Sequence, residues 1–475
     1  MRTTLLPPAW LLRVAVAVCA VLTCVAQDRP IAIGGTVVRP EGPPAKGWVV
    51  IQNGRILRTT TEPPGGDVQD RLDTDLIIFP GLIDLHNHPM YAVFPRWTPG
   101  RTFHNRYEWR SDPEYKRLIS SPGSELQVDD ETFCDMDEFA EVQAIIGGTT
   151  ALTGISARRA PKAPVPNCVS GFVRNLDWAS QFYGNDIGRE RVQNVLGVTP
   201  GDLSKSANEE TAAKLRNGAL DALLLHLAEG LPTDTESTIE FRALKGTGLL
   251  TRNTALIHGT GMSRDQFREA REAGAAIIWS PRSNLTLYGA TTDVVSAFRE
   301  GVSIALAPDW APTGSFNLFD ELRFAARFND EMLGHFFSYR QLFEMATSVP
   351  ARIAAIDDRV GSIQPGNLAD MFLVRGDSTD PYTALVHAKI ADVQLVMISG
   401  IPMYGAPDLM AKLRLKTENL KVCDTTQQLN ADALPHGRLS AAEERLRKLL
   451  TQPKYKQQLN AIADCMTDKP APRQQ

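Results

Sequence analysis

His86 and His88 stand one residue apart at the end of an apolar run, in Phe79-Pro80-Gly81-Leu82-Ile83-Asp84-Leu85-His86-Asn87-His88. Strand residues at i and i+2 point to one face, so both imidazoles leave a strand end in one direction, as two ligands of a shared metal must. Polar residues close four other apolar runs. His226 ends Leu223-Leu224-Leu225, and Glu229 follows it; His258 ends Ala255-Leu256-Ile257. Ser280-Pro281-Arg282-Ser283-Asn284 follows Trp279, and Asp309 follows Ala305-Leu306-Ala307-Pro308. His86, His88, His226 and Asp309 offer three imidazoles and one carboxylate. That set suits one divalent metal, Zn2+ ahead of Fe2+, and leaves room for a water. Any one of these histidines reads equally well as a hydrogen-bonded, partly buried side chain. Four of the chain's eight histidines at the ends of apolar runs argue for a site.

The elements that must position them alternate short apolar runs with helical stretches, the pattern of a parallel sheet or barrel. The runs are Leu76–Leu85, Thr149–Thr153, Val169–Arg174, Val192–Val198, Ala222–Leu227, Thr254–Ile257, Ala275–Trp279 and Ser303–Ala307. Eight strands are what a (β/α)8 TIM-type barrel needs, and such barrels keep their chemistry at strand C-termini. Short strands return at both ends: Ala32–Val38 and Lys46–Thr60 before the centre, Met371–Val374 and Val393–Ser399 after it. The fold expected is α/β, a barrel at 79–358 with a small composite β-sandwich built from 27–78 and 359–406. Residues 407–475 read as a polar, helix-prone extension with a disordered end. The segment Met90–Met136 is too long for an ordinary βα loop and should lie over the active face.

These residues together resemble the amidohydrolase superfamily of metal-dependent hydrolases over roughly 30–405. The resemblance rests on Pro80-Gly81-Leu82-Ile83-Asp84 leading into His86-x-His88, on His226, His258 and Asp309, and on Gly361 to Asp370 returning to the β domain. His226-x-x-Glu229 and Ser283-Asn284 are similar to the branch of cytosine deaminase, chlorohydrolases and thioadenosine-type deaminases. The resemblance implies that Asp309 takes a proton from a metal-activated water, with His258 holding the oxygen and Glu229 carrying a proton to a ring nitrogen or leaving group. The other reading of Glu229 is a hydrogen-bond partner of a ligand histidine. Two-metal relatives carry a bridging lysine on the fourth strand. Val192–Val198 has none, so one metal is expected. Pro308 departs from the branch, where a small hydroxyl residue often precedes the aspartate.

For substrate, Arg282, Asn284, Trp310, Trp97 and Arg101 are the candidates: aromatics to stack a planar ring, arginines to meet an anionic group. For Trp97 and Arg101 the plainer alternative is fastening the long loop to the barrel. The expected activity is hydrolysis of a non-peptide C–N bond, deaminating or opening an aminated heterocycle. The alternatives are an amidase or peptidase-like cleavage of an N-acyl or cyclic amide and, in another class, a binding protein on a retained barrel.

The 475 residues are 43% hydrophobic and 22% charged, with net charge −5. A small-molecule substrate fits this balance and nucleic acid does not. A homo-oligomer is compatible with it. Residues 1–26 read as an export signal: Arg2 and Arg13, the apolar Val14–Ala26, and small residues before Gln27. A lipoprotein cleaved before Cys24 and a retained anchor are the other readings. Export places the mature chain in a periplasmic or extracellular space, without stable membrane insertion. Cys134, Cys168, Cys423 and Cys465 remain after cleavage. Proximity favours 134–168 and 423–465 among three connectivities.

Overall fold

The computed structural model describes residues 29–154 apart from 69, residue 168, and 171–176, 192–195 and 205–465. The expected signal at 1–26, the expected disordered end at 466–475, and parts of the third and fourth expected barrel strands lie outside the described residues. Five strands come first: β1 Ile31–Val37, β2 Ala45–Gln52, β3 Arg55–Thr60, β4 Asp70–Leu72 and β5 Ile77–Pro80. The next eight are β6 Leu82–Asp84, β7 Thr149–Leu152, β8 Arg174–Asn175, β9 Val192–Val195, β10 Ala222–Leu227, β11 Thr254–His258, β12 Ala276–Trp279 and β13 Ile304–Leu306. The last five are β14 Met371–Val374, β15 Val393–Ile398, β16 Ile401–Gly405, β17 Thr417–Val422 and β18 Thr425–Asn430.

The middle eight form the TIM-type barrel, hydrogen-bonded in parallel as β6-β7-β8 and β9-β10-β11-β12-β13. Strand alternation sorts their side chains. Leu223, Leu225 and Leu227 pack outward with Phe241, Leu244 and Phe267 of the surrounding helices. Ala222 and Leu224 share an inner core with Ile83, Ala255, Ile257, Ile278 and Ala305. His226 continues the register of Ala222 and Leu224, so it enters the interior at the strand's C-terminal end.

The run Leu76–Leu85 is not one strand. It breaks at Gly81 and serves two sheets, β5 in the accessory domain and β6 in the barrel. Gly81 donates to the Asp370 carbonyl at 2.9 Å. A Cβ there would lie 2.1 Å from Thr150 Oγ1, so only glycine passes.

The accessory domain is a single ten-stranded sheet, β17-β18-β16-β15-β14-β5-β1-β2-β3 with β4 beside β1. It curls until β3 meets the chain entering β14: the Ile56 N–H reaches the Asn367 carbonyl at 2.8 Å and the Ala369 N–H the Gly54 carbonyl at 2.9 Å. Its inner face encloses Ile33, Val49, Ile51, Ile78, Met371, Leu373, Leu395 and Met397. The two layers of the expected sandwich are therefore one continuous hydrogen-bonded sheet.

The C-terminal extension is more than helix. β17 and β18 lengthen the accessory sheet through β16, and the helix Leu439–Leu450 packs on the helix Asp130–Ile145. Arg445 grips the buried Asp135 with two bonds of 2.6 and 2.7 Å. Both favoured disulfides, Cys134–Cys168 and Cys423–Cys465, are formed. No helix among the described residues is long and apolar enough to cross a membrane.

Barrel and accessory sheet are joined by a buried ion pair. Arg174 of β8 donates to both oxygens of Asp370 at 2.6 and 3.0 Å and to Ser399 Oγ at 2.5 Å. The two side chains are 1% and 2% exposed. Removing the cation strands a buried carboxylate, so Arg174→Met is expected to destabilise the chain by about 3–5 kcal/mol. Denaturant unfolding checks this, and a loss under about 1 kcal/mol would contradict it.

Candidate active site

Strand β6 ends at Asp84, so His86 and His88 occupy a bend beyond it rather than alternate positions of a strand. Their rings lie 5.0 Å apart and almost perpendicular. What aims them is the other end of the barrel. Asn87 and Asp309 form a parallel bridge. The His88 N–H reaches the Asp309 carbonyl at 2.8 Å, and the Asp309 N–H the His86 carbonyl at 3.1 Å. Asp84 braces the bend from below, accepting from the His86 N–H at 3.0 Å and Asn87 Nδ2 at 2.7 Å.

Asp309 and His258 both adopt φ of +68°. Left-handed backbone is uncommon for a residue with a side chain, and holding it costs on the order of 1–3 kcal/mol. Asp309 Oδ1 meets His86 Nε2 at 2.9 Å and His88 Nε2 at 3.5 Å. Ser283 Oγ donates to Asp309 Oδ2 at 2.5 Å. Asn284 Nδ2 donates to His258 Nδ1 at 3.0 Å, while its Oδ1 accepts from Thr291. That donor on Nδ1 puts the imidazole proton on Nε2, which faces Glu229 Oε2 at 3.8 Å. Tyr288 Oη donates to Glu229 Oε1 at 2.6 Å and itself accepts from Trp109 Nε1 at 2.7 Å.

Burial sets the protonation states. It pushes His88 down to about 4 and His258 to about 3, and holds His226 well below the ordinary imidazole value, so all three are neutral at pH 7. Burial alone would raise Asp309. The hydrogen bond from His86 and the surrounding imidazoles outweigh it and keep that carboxylate ionised. Burial, with the charge of Asp309, lifts Glu229 to about 7 against the pull of Arg106 and Tyr288.

Neutral imidazoles and an ionised carboxylate are the protonation states that metal ligation requires. The candidate ligand atoms of His86, His88 and His226 lie within 4.8 Å of one another, as do those of His86, His258 and Asp309. His86 Nδ1 is buried with no hydrogen-bond partner. The residues fit a single divalent metal of the zinc type. The sequence of β9, Val-Gln-Asn-Val, supplies no lysine for a second one, and Lys205 and Lys214 fall in the following helix.

The substrate candidates divide. Trp310 stands by the site, 6.2 Å from the His88 ring, and packs with Tyr91, Trp109 and Tyr115 into an aromatic wall. Asn284 holds His258. Arg282 is engaged elsewhere, with Nη1 3.4 Å from Asp464 and its guanidinium over Phe324. Trp97 bonds Glu114 and packs on Phe103 and Tyr115, and Arg101 covers Phe103 and pairs with Glu108. All of these partners belong to the long loop itself, so the two side chains knit that loop together rather than tying it to the barrel.

Ser283 stood beside Asn284 in the motif, but its bond to Asp309 was not legible. Tyr288, Trp109 and Arg106 were missed as supports. Tyr288 lies one helical turn after Asn284, which is the signal that could have found it. Arg106, only 2% exposed, pairs with Glu240 at 3.4 Å. Glu240 in turn accepts from the Ala228 N–H at 2.6 Å. Together they fix the left-handed turn that presents Glu229.

Residues 205–402 match the amidohydrolase family. Over 410 residues the chain is 25% identical to a 5-methylthioadenosine/S-adenosylhomocysteine deaminase of Desulforudis audaxviator, covering 77% of this chain and 90% of that protein. Among solved structures, it is similar to a variant of the atrazine chlorohydrolase of Arthrobacter aurescens complexed with zinc and atraton. There the TM-score is 0.65, identity 17%, and coverage 78% of this chain and 95% of that one. It is also similar to a zinc-bound adenosine deaminase of Xanthomonas campestris, with TM-score 0.64, identity 17%, and coverage 88% and 98%. At that identity the structural likeness speaks for the fold, and it is the fold the site geometry requires. The family match over 205–402, the shared fold and the ligand cluster together mark a metal-dependent hydrolase related to the chlorohydrolase and deaminase branch of the amidohydrolase superfamily.

Proposed function

We propose that this chain is an exported hydrolase that deaminates, or opens, an aminated heterocycle. The observation that carries the reading is Glu229, a buried carboxyl lifted to about 7 beside the ionised Asp309. Two carboxyls whose surroundings push them apart divide acid from base work. The deaminases among the relatives support an amino group on a ring as the leaving group.

His86, His88, His226 and Asp309 are the residues that would hold the metal. When bound, it supplies the Lewis acidity that brings a water's pKa towards neutrality. Asp309 then takes a proton from the attacking water, and the His258 Nε2–H donates to the oxygen left behind. Glu229 in its acid form protonates a ring nitrogen, Asp309 passes the proton it took to the departing amine, and the proton of the added hydroxyl returns to Glu229. Water and the amino-heterocycle thus become a hydroxy (or oxo) heterocycle and ammonia. Tyr288 aims Glu229, Asn284 sets the His258 tautomer, and the Trp310 wall offers a face for a flat ring.

Mature wild-type protein is expected to hold about one zinc or iron per chain, and His226→Ala to lose it. Elemental analysis decides, and two metals per chain would contradict the single site. Asp309→Asn should lower ammonia release from a panel of amino-heterocycles by about a hundredfold or more. An unchanged rate would sink the mechanism.

Export rests on the N-terminal pattern and is supported by the two disulfides, which an oxidising compartment permits. Sequencing the N-terminus of protein from its native host should begin near Gln27. A chain that still starts at Met1 would overturn that reading.

A further inference from the structure

The chain's C-terminal strap reaches back towards the site. Asn460 bonds the Val93 and Ala92 carbonyls through its N–H and Nδ2, each at 2.9 Å. Gln457 Nε2 donates to the Leu118 carbonyl at 2.7 Å. The strap thus lies on the long loop after β6 and arrives at Asp464, whose side chain is 11% exposed. One oxygen of Asp464, Oδ2, meets Arg96 Nη2 at 2.5 Å and Arg282 Nη1 at 3.4 Å. The next residue, Cys465, is bonded to Cys423 at the turn between β17 and β18. Asp464 therefore has a covalent anchor beside it.

Each arginine touches a piece of the site. Arg96 donates to the Gly314 carbonyl at 2.6 Å and covers Phe316. Both residues belong to the loop that begins at Asp309. Arg282 is the second residue of the helix Pro281–Tyr288. That helix carries Ser283, Asn284 and Tyr288, which hold Asp309, His258 and Glu229.

Resting on the function proposed above, we propose that Asp464 is a positioning residue. It bridges Arg96 and Arg282, and so sets the helix and the loop from which Asp309, His258 and Glu229 are held. Without its carboxylate, the neighbouring Arg96 and Arg282 guanidiniums repel each other, with the buried Asp320 left to offset them in part. They move apart, and the loop bearing Asp309 moves with Arg96.

The test uses full-length mature protein loaded with zinc alone, and reads the rate of zinc release to a chelator beside the melting temperature. Asp464→Asn is expected to release zinc about fivefold faster, below the roughly tenfold that direct partners of metal ligands carry. Asp464→Glu should restore retention to within about twofold of wild type. So should adding Arg96→Gln to Asp464→Asn, because the repulsion is gone. A merely structural strap would make that double variant worse. The pair Cys423→Ser and Cys465→Ser, which frees the anchor, should release zinc faster in the same sense.

Wild-type retention in Asp464→Asn, or failure of Arg96→Gln to restore it, overturns the bridge. If Asp464→Asn does not fold, the double variant and the cysteine pair decide, and unchanged release in the cysteine pair overturns it. A wild-type chain that takes up no zinc refutes the functional reading instead.

Discussion

The barrel closes chemically through the backbone of one residue. Asp309 gives its N–H to His86 and its carbonyl to His88, joining the chain beyond the last strand to the chain beyond the first. Its φ of +68° makes this possible, and turns the carboxylate to the same two histidines. The geometry of the candidate ligand set thus depends on one strained turn. The strain persists because backbone bonds, Ser283 and the imidazoles over-determine it.

Electrostatics follow from the same enclosure. Water is excluded from the floor of the site, so ionised groups survive only where partners hold them. Asp309 has such partners and stays charged. Glu229, with a like charge nearby, is held on the edge of titration. Asp84, buried under the histidine bend, is driven up to about 8, foremost by burial. Its two oxygens accept from the His86 N–H and from Asn87 Nδ2, which is how it braces the bend beneath the candidate ligands.

The long loop after β6 and the C-terminal extension act on this floor through side chains at a distance. Trp109 comes from the long loop and reaches Glu229 through Tyr288. Arg106 shapes the Glu229 turn through Glu240. The strap lies on that loop and fixes Arg96 and Arg282 through Asp464. A barrel strand offers only a residue or two at its end, so the second layer of support has to come from connections.

The barrel and the candidate ligands are legible from residue order alone, because both are written in local pattern. Apolar runs of strand length ending in His226, His258 and Asp309 can be read one run at a time, and two sequence-near cysteine pairs predicted the disulfides. What aims these groups comes from contacts between distant parts of the folded chain. The His86–His88 bend is set by a residue 221 positions past His88, and the break at Gly81 by the approach of Thr150. The β17–β18 hairpin reads as helix-prone in sequence because its exposed face is polar, and only burial of Leu420, Val422 and Leu429 reveals its alternation. Arg282, which its position after β12 would offer to a substrate, is instead engaged by Asp464 from the far end of the chain. Long-range hydrogen bonds and ion pairs leave no periodic trace in a single sequence, because their partners are chosen by the fold rather than by spacing.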